Sequence, residues 1–275
     1  MSKYKMLVTD MDYTLLNKDK NVSERNKKAL MAAMEKGVHV VVATGRIYTS
    51  ALYYAKLLGI STPIIASNGA IIREEHTDRT MYQCLLDEKA MKEMIRLCRE
   101  LGLFCHLFSR DTIYTEKLVN VSTRYTEWNK FMAEEDQVKV RLLESFDSMT
   151  DGEKSEIFKA VVVDDDDSKL KRIREEIEKT GLVSVSQSLV DNIEVMNKEV
   201  SKGNAVKKLA ELYGIHRDEI ITIGDNENDI SMIEYAGLGV AMGNAVQCLK
   251  DRADYITGDY MEDGVAQVVE KFILG

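Results

Sequence analysis

Short apolar runs alternate along the chain with stretches whose apolar residues recur every three or four positions. Tyr4–Thr9 reads as a strand, Ser23–Lys36 as an amphipathic helix, Val38–Ala43 as a second strand, Ile47–Leu58 as a second helix and Ile64–Ala66 as a third strand. Ser23 suits the N-cap of the first helix and Gly37 its C-terminal stop. The rhythm returns in Asn192–Met196, Ser201–Tyr213, Glu219–Ile223, Asp229–Tyr235, Leu238–Met242 and a last helix near Gly264–Phe272. Alternation of this kind predicts βαβ units and a mostly parallel, doubly wound sheet.

The middle of the chain has another texture. A long helix over Glu88–Leu101 precedes short strands at Phe104–Phe108 and Thr112–Thr115, then helical stretches, a strand at Ile157–Val163, a helix at Ser168–Lys179 and a strand at Leu182–Ser186. Hairpin-like spacing between such elements predicts an α+β domain inserted into an α/β one, with the core in residues 1–83 and 189–275 and the insertion in residues 84–188. No repeat or Gly/Ser-rich linker marks the joins. The acidic run Asp164–Asp167 falls between a strand and a helix, so it reads as an N-cap and first turn favoured by the helix dipole, not as a metal site.

Composition narrows the function classes. The 275 residues suit one large domain or two smaller ones, at roughly 150 residues per domain. A formal net charge of −9 argues against a nucleic-acid binder, which needs a basic surface to displace counterions. Such a chain could still handle a phosphate at one place, with a metal ion, a lysine or backbone N–H groups. Cys84, Cys98, Cys105 and Cys248 show no CxxC spacing, and reduced, mostly buried thiols are expected. The apolar run behind Lys3 and Lys5 stops at Thr9 and Asp10, too short for a signal peptide's core. No segment reaches the roughly 18 apolar residues that span a membrane, so a cytoplasmic protein with no membrane partner is expected. His39, His76, His106 and His216 form no metal-ligand spacing, and the Met31/Met34 pair reads as helix core. GLGVAMG at Gly237–Gly243 faintly suggests a dinucleotide fingerprint, but Met242 takes the place of the third glycine and the segment reads as a strand.

Candidate chemistry begins in MLVTDMDYTLLN, where an apolar run meets Asp10 and Asp12, one residue apart. Like charges so placed repel, which suggests that something positive sits between them. In a doubly wound sheet, ligands bind beyond the carboxyl ends of the strands, where strand order reverses. Asp10 ends the first strand, Thr44 and Gly45 the second, Asn68 and Gly69 follow the third, and Asp225 ends the strand of ITIGDNEND. Singly, Asp10 and Asp225 could be caps or turn formers, Thr44 a turn hydroxyl and Lys202 a solvated first-turn residue. Together, Asp10, Asp12 and Asp225 supply the hard oxygens that Mg2+ prefers and leave positions for water and a phosphate oxygen. Asp229, four residues after Asp225, shares that face if a helix has begun by then.

In order, DMDYTLL, ATGR, SNGA, SKG and GDNENDISM resemble the four motifs of the haloacid dehalogenase (HAD) superfamily of phosphatases, and the residues between SNGA and SKG resemble the large cap of its Cof-like, type IIB branch. The resemblance runs from Asp10 to the closing AMGNA and DGVAQVV segments. It implies a Rossmann-like α/β core with an inserted α+β cap, and a Mg2+-dependent phosphohydrolase acting on small soluble phosphomonoesters such as sugar phosphates. By the same resemblance Asp10 is the nucleophile that forms an aspartyl-phosphate, and Asp12 protonates the leaving oxygen, then takes a proton from water. Asp10, Asp12 (through its carbonyl), Asp225 and Asp229 hold the metal. Met11, Thr44, Gly45, Lys202 and Asn228 contact the phosphate, Thr44 and Lys202 acting in catalysis, while Arg46 and Asn68 meet the rest of the substrate. Tyr13 departs from the glycine common after the second Asp, where a ring would narrow the entrance or change the turn, and Glu199 stands where related sequences often carry glycine.

Two alternatives remain at this stage. A sugar phosphomutase of the same superfamily would return the phosphoryl group to another hydroxyl, and isomerised product would reveal it. A phospho-ligand sensor would bind without turnover, although a binder has no need of a leaving-group acid. Nothing in the sequence fixes the oligomeric state.

Overall fold

A computed structural model describes residues 3–74, 77, 79–189 and 191–275; His76 lies outside them. The chain opens with β1 (Met6–Thr9), α1 (Glu24–Glu35), β2 (His39–Val42), α2 (Tyr48–Leu57), β3 (Ile64–Ala66), β4 (Ile71–Arg73) and β5 (Thr80–Gln83). It continues through α3 (Glu88–Leu101), β6 (Phe104–Phe108), β7 (Thr112–Thr115), α4 (Val121–Asn129), β8 (Lys139–Leu142), α5 (Asp151–Lys154), β9 (Lys159–Val163), α6 (Asp167–Glu178), β10 (Val183–Ser186) and β11 (Asn192–Asn197). It ends with α7 (Lys202–Tyr213), β12 (Ile220–Gly224), α8 (Ile230–Tyr235), β13 (Leu238–Ala241), α9 (Gln247–Lys250), β14 (Tyr255–Ile256) and α10 (Gly264–Val269). Two compact units result, one from the described residues of Met1–Gly45, Tyr54–Tyr82 and Ser201–Gly275, the other from Arg46–Tyr53 and those of Gln83–Val200.

The first unit is built on a five-stranded sheet ordered β14-β13-β12-β1-β2, parallel at every pairing. Its two central strands, MLVT and IITIG, are buried at every residue, which is why they read as continuous apolar runs. Met6 and Val8 share a core with Ala205, Val206, Leu209 and Ala210 of α7 and Met232 of α8. A three-stranded sheet, β3-β4-β5, adjoins through a parallel bridge between Ala43 and Ile65. In α1 the Ser23 hydroxyl accepts from the Asn26 N–H as expected of an N-cap, and Gly37 takes φ +80° just past the end. The buried face of α1 is Asn26, Ala29, Leu30 and Ala33, so Met31 points away and is exposed, and Met34 is half-buried. The Met31/Met34 core reading is therefore corrected for Met31, which lies off the three- and four-residue spacing of the buried stripe, while Met34, four residues after Leu30, sits at the edge of that stripe. The last helix stops at Val269 and continues as one π turn, Glu270–Leu274.

The second unit holds a six-stranded sheet ordered β10-β11-β9-β6-β7-β8, antiparallel except for the β7–β8 pair. One face carries Cys105, Leu107, Ala160, Val162, Ile193 and Val195 against α3 and α6. The other carries Phe108, Ile113, Val161 and Val163 with Ile47 and, from α4, Val121, Tyr125 and Trp128. β11 belongs here, paired antiparallel to both β9 and β10. The alternation alone places that segment with the returning parallel half, and its apolar run carries no sign of strand direction. Asp166 caps α6, accepting from the Ser168 N–H, and Asp164 accepts from the Asp166 N–H. Cys98 and Cys105 are buried, Cys84 is half-buried and Cys248 is exposed. Among the described residues no helix is long and apolar enough to cross a membrane.

Candidate active site

β1 runs between β12 and β2, with Thr9 level with Ile223 on one side and Val42 on the other. The chain winds outward from β1 through β2 and, on the opposite side, from β12 through β13 and β14. Strand order thus reverses between β1 and β12, and this is where such sheets open a crevice. Asp10 leaves β1 there, its N–H donating to the Ile223 carbonyl at 2.9 Å. Asp225 leaves β12 and Thr44 follows β2 at the same edge. The strands end at Thr9, Val42 and Gly224, so Asp10, Thr44 and Asp225 sit in the turns just beyond them.

Lys202 is the first residue of α7 and is wholly buried. The plain reading of a solvated first-turn lysine is wrong here: its Nζ lies 2.6 Å from Asp10 Oδ1 and 2.5 Å from Asp229 Oδ1. Asp229 closes a 3-10 turn, Glu227–Asp229, and its Oδ2 accepts from the N–H groups of Asp225 (2.9 Å) and Asn226 (3.1 Å). That tight return needs Gly224, where a Cβ would come within 2.5 Å of the Asp229 side chain. Thr14, the threonine of the DMDYT motif, to which no role was assigned from sequence, donates its hydroxyl to Asp225 Oδ1 at 2.9 Å. Oxygens of Asp10, Asp225 and Asp229 all lie within 4.8 Å of one another, and all three residues are buried.

The electrostatics follow from that crowding. Burial pushes the Asp10 carboxyl up to about 7, against the opposing pull of Lys202 and with further upward push from Asp229 and Asp12. Asp225 is raised well above the ordinary carboxylate range by burial first, then by the charges of Asp10 and Asp229. Burial disfavours the Lys202 ammonium, but Asp10 and Asp229 outweigh it and hold the lysine above its usual range. Three carboxylates beside one ammonium leave an excess of negative charge among hard oxygen donors, which fits a divalent cation such as Mg2+.

The other expected residues are placed as follows. The Asp12 carboxylate is partly exposed and pairs with Lys20, Nζ to Oδ1 2.7 Å. The Met11 side chain is buried in the core, and its carbonyl accepts from the Leu15 and Leu16 N–H groups, leaving only its own N–H for a ligand. Thr44 is buried; its carbonyl accepts from the Asn68 N–H at 3.0 Å, and the Asn68 amide oxygen accepts from Asn228 Nδ2 at 3.0 Å. This joins ATGR, SNGA and GDNEND into one rim, with Gly45 directly after Thr44. Ser67, at φ +49°, carries a buried hydroxyl with no hydrogen-bond partner, a group that a phosphate oxygen would satisfy. Gly69 takes φ +97°, and a Cβ there would lie 2.4 Å from the Ser201 carbonyl, so SNGA and SKG are bound by close backbone approach. Arg46 falls in the other unit, where its guanidinium donates to Ser50 Oγ at 2.9 Å. Glu199 is exposed, with no left-handed backbone that would call for glycine. GLGVAMG contains β13, a strand.

Residues 7–269 match the family model of haloacid dehalogenase-like hydrolases. The 5-amino-6-(5-phospho-D-ribitylamino)uracil phosphatase YcsE of Bacillus subtilis strain 168 is 31% identical over 98% of this chain and 96% of its own. The pyridoxal phosphate phosphatase YbhA of Escherichia coli K12 is 26% identical over 98% of this chain and 99% of its own. The solved structure of a haloacid dehalogenase-like hydrolase from Bacteroides thetaiotaomicron has a TM-score of 0.81 and 31% identity, covering 98% of this chain and 99% of that one.

Proposed function

The chain belongs to the haloacid dehalogenase-like hydrolases and is a Cof-like phosphatase, and from that premise we propose that it hydrolyses small soluble phosphomonoesters in the cytoplasm, using Mg2+ and a phosphoryl group carried on Asp10. The observation that carries this reading is the buried contact of Asp10 with Lys202, at the mouth between β1 and β12 and within 4.8 Å of two further carboxylates.

An Asp10 oxygen attacks phosphorus, the bond from phosphorus to the ester oxygen breaks, and Asp12 gives its proton to that oxygen. Water then attacks the aspartyl-phosphate, with Asp12 taking the proton, and inorganic phosphate leaves. When bound, Mg2+ neutralises charge between carboxylate and phosphate dianion; Asp10, Asp225 and the Asp12 carbonyl would hold it. Asp229 adjoins that set, but its oxygens already serve two backbone N–H groups and Lys202, so its share is to fix the Asp225 turn and the ammonium. Lys202, the Thr44 hydroxyl, the N–H groups of Met11 and Gly45, and Asn228 offer donors to the phosphate oxygens. Asn68, and with it Arg46, serves the remainder of the substrate.

The relatives' names point to different phosphomonoesters, a phosphorylated ribitylaminouracil and pyridoxal phosphate. We therefore assign substrate choice to the inserted cap, residues 84–188, and favour sugar phosphates or related metabolites as the class. Phosphate release from a panel of phosphorylated sugars, nucleotides and cofactors, with Mg2+ or EDTA, tests the reading. Turnover is expected to vanish in EDTA and in Asp10→Asn, and phosphate release that survives either one overturns the mechanism.

A further inference from the structure

The three buried carboxylates differ in what holds their oxygens. Asp10 Oδ1 accepts from Lys202 Nζ at 2.6 Å, and Asp229 gives Oδ1 to the same ammonium and Oδ2 to the N–H groups of Asp225 and Asn226. Asp225 is held otherwise. Its backbone is fixed on both sides, the N–H donating to Asp229 Oδ2 at 2.9 Å and the carbonyl accepting from the Val246 N–H at 2.9 Å. Its side chain accepts on Oδ1, from the Thr14 hydroxyl at 2.9 Å, and among the described residues no donor reaches Oδ2.

Thr14 is wholly buried and lies in a turn anchored by the buried Leu15 and Leu16. The N–H groups of Thr14, Leu15 and Leu16 all donate to the Met11 carbonyl, at 3.4, 3.0 and 2.7 Å. A β-branched side chain on a backbone so fixed has little rotamer freedom, and its hydroxyl keeps one direction. A buried hydroxyl needs a partner, and this one finds Asp225 across 211 positions of chain.

The consequence lies in how many oxygens Asp225 presents. A carboxylate gives a cation one oxygen or both, and chelation through both would take Oδ1 away from Thr14. The hydrogen bond therefore keeps Asp225 a one-oxygen ligand. Mg2+ takes about six oxygens at about 2.0–2.1 Å in near-octahedral geometry, which one-oxygen carboxylates suit. Ca2+ takes about six to eight at about 2.3–2.6 Å and accepts chelating carboxylates.

We propose that Thr14 is a positioning residue that tunes the site to Mg2+ against Ca2+ by keeping Asp225 to one oxygen. The inference rests on the reading of Asp10 and Asp225 as ligands of the cation. Thr14 acts only through Asp225.

The test measures dissociation constants for Mg2+ and for Ca2+ by titration calorimetry on the full chain without substrate. Thr14→Val keeps the shape and removes the hydroxyl, and Thr14→Ser keeps the hydroxyl on a smaller side chain. Thr14→Ala carries the same expectation as valine should the valine protein not fold. Losing the partner behind a metal ligand costs about 10–100-fold in affinity, so Mg2+ should bind Thr14→Val about tenfold or more weakly. Ca2+ can chelate the released carboxylate and should lose less, so the preference for Mg2+ shrinks by about threefold or more. Thr14→Ser should return the wild-type ratio, and the rise in melting temperature that each cation brings should follow the same order. Equal proportional losses for both cations, no loss for either, or a serine protein that behaves like the valine one overturn the inference; a Thr14 that merely props its turn predicts the first of these. A wild-type protein that prefers Mg2+ but releases phosphate from no ester ends the phosphatase reading and leaves the role of Thr14 standing. A Mg2+-dependent phosphatase whose cation preference ignores Thr14 ends this inference alone.

Discussion

Three carboxylates and one ammonium, buried together, leave Asp10 undercompensated. The folded pKa near 7 lies above the unfolded value near 3.8, so the folded state binds the extra proton and ionisation opposes folding. Stability contributed by protonated Asp10 is therefore full below pH ~4 and is lost as pH rises through ~7. In EDTA, Asp10→Asn should grow more stable relative to wild type across that window, and Mg2+ should narrow the difference. Thermal melts of the two proteins at a series of pH values measure it, and a constant gap in EDTA contradicts the burial argument. At this scale Asp10, Asp225 and Lys202 were legible because carboxylates and a lysine in fixed motifs announce charge chemistry. Thr14 and Lys20 were not, since a hydroxyl or a flexible cation gains its meaning only from what the turn brings within 3 Å.

The elements repeat the lesson with a different cause. The termini of α1, α3 and α6 could be read within a residue or so, because caps and periodicity are local. β11 was found as a strand but put beside the wrong neighbours, because an apolar run says nothing about which strand will pair with it. Its pairing to β9 also buries an ion pair, Lys159 Nζ to Glu194 Oε2 at 2.6 Å, with Ser188 Oγ donating to Glu194 Oε1 at 2.6 Å. Charges so buried cost desolvation that their attraction only roughly repays, and breaking one side is worse than replacing both. Lys159→Met should destabilise the protein by about 3–5 kcal/mol, and adding Glu194→Leu should recover much of that loss. Denaturant melts of the two singles and the double decide the matter, and additive losses would remove the pair from the account.

For the whole molecule, the sequence disclosed an α/β core interrupted by an α+β segment, and the structure gives each unit its own sheet and core. Ile47 is the instructive exception, since it lies in the α/β rhythm of the sequence but is buried with Phe108 and Val161 of the second unit. Asp10 and Asp225 both belong to the first unit, so a cation bound there is expected to protect that unit's nearby amides most. Hydrogen exchange with Mg2+ alone should slow the amides of residues 9–14 and 224–230, while those of β9 and β11 keep their rates. Equal slowing in both units would show that the cation binds elsewhere.

The contact between Asp10 and Lys202 spans 192 positions, and the one between Thr14 and Asp225 spans 211. During synthesis β1 leaves the ribosome with β2 for a neighbour, while its other edge waits for a strand not yet translated. The second unit, whose strands are nearer in sequence, has all its residues available first. Lys202 then emerges ahead of Asp225 and Asp229, so the ammonium is present before the second and third negative charges join Asp10. A ribosome that stalls before Asp225 leaves a nascent chain with Asp10 and Lys202 made and the buried carboxylate cluster unfinished.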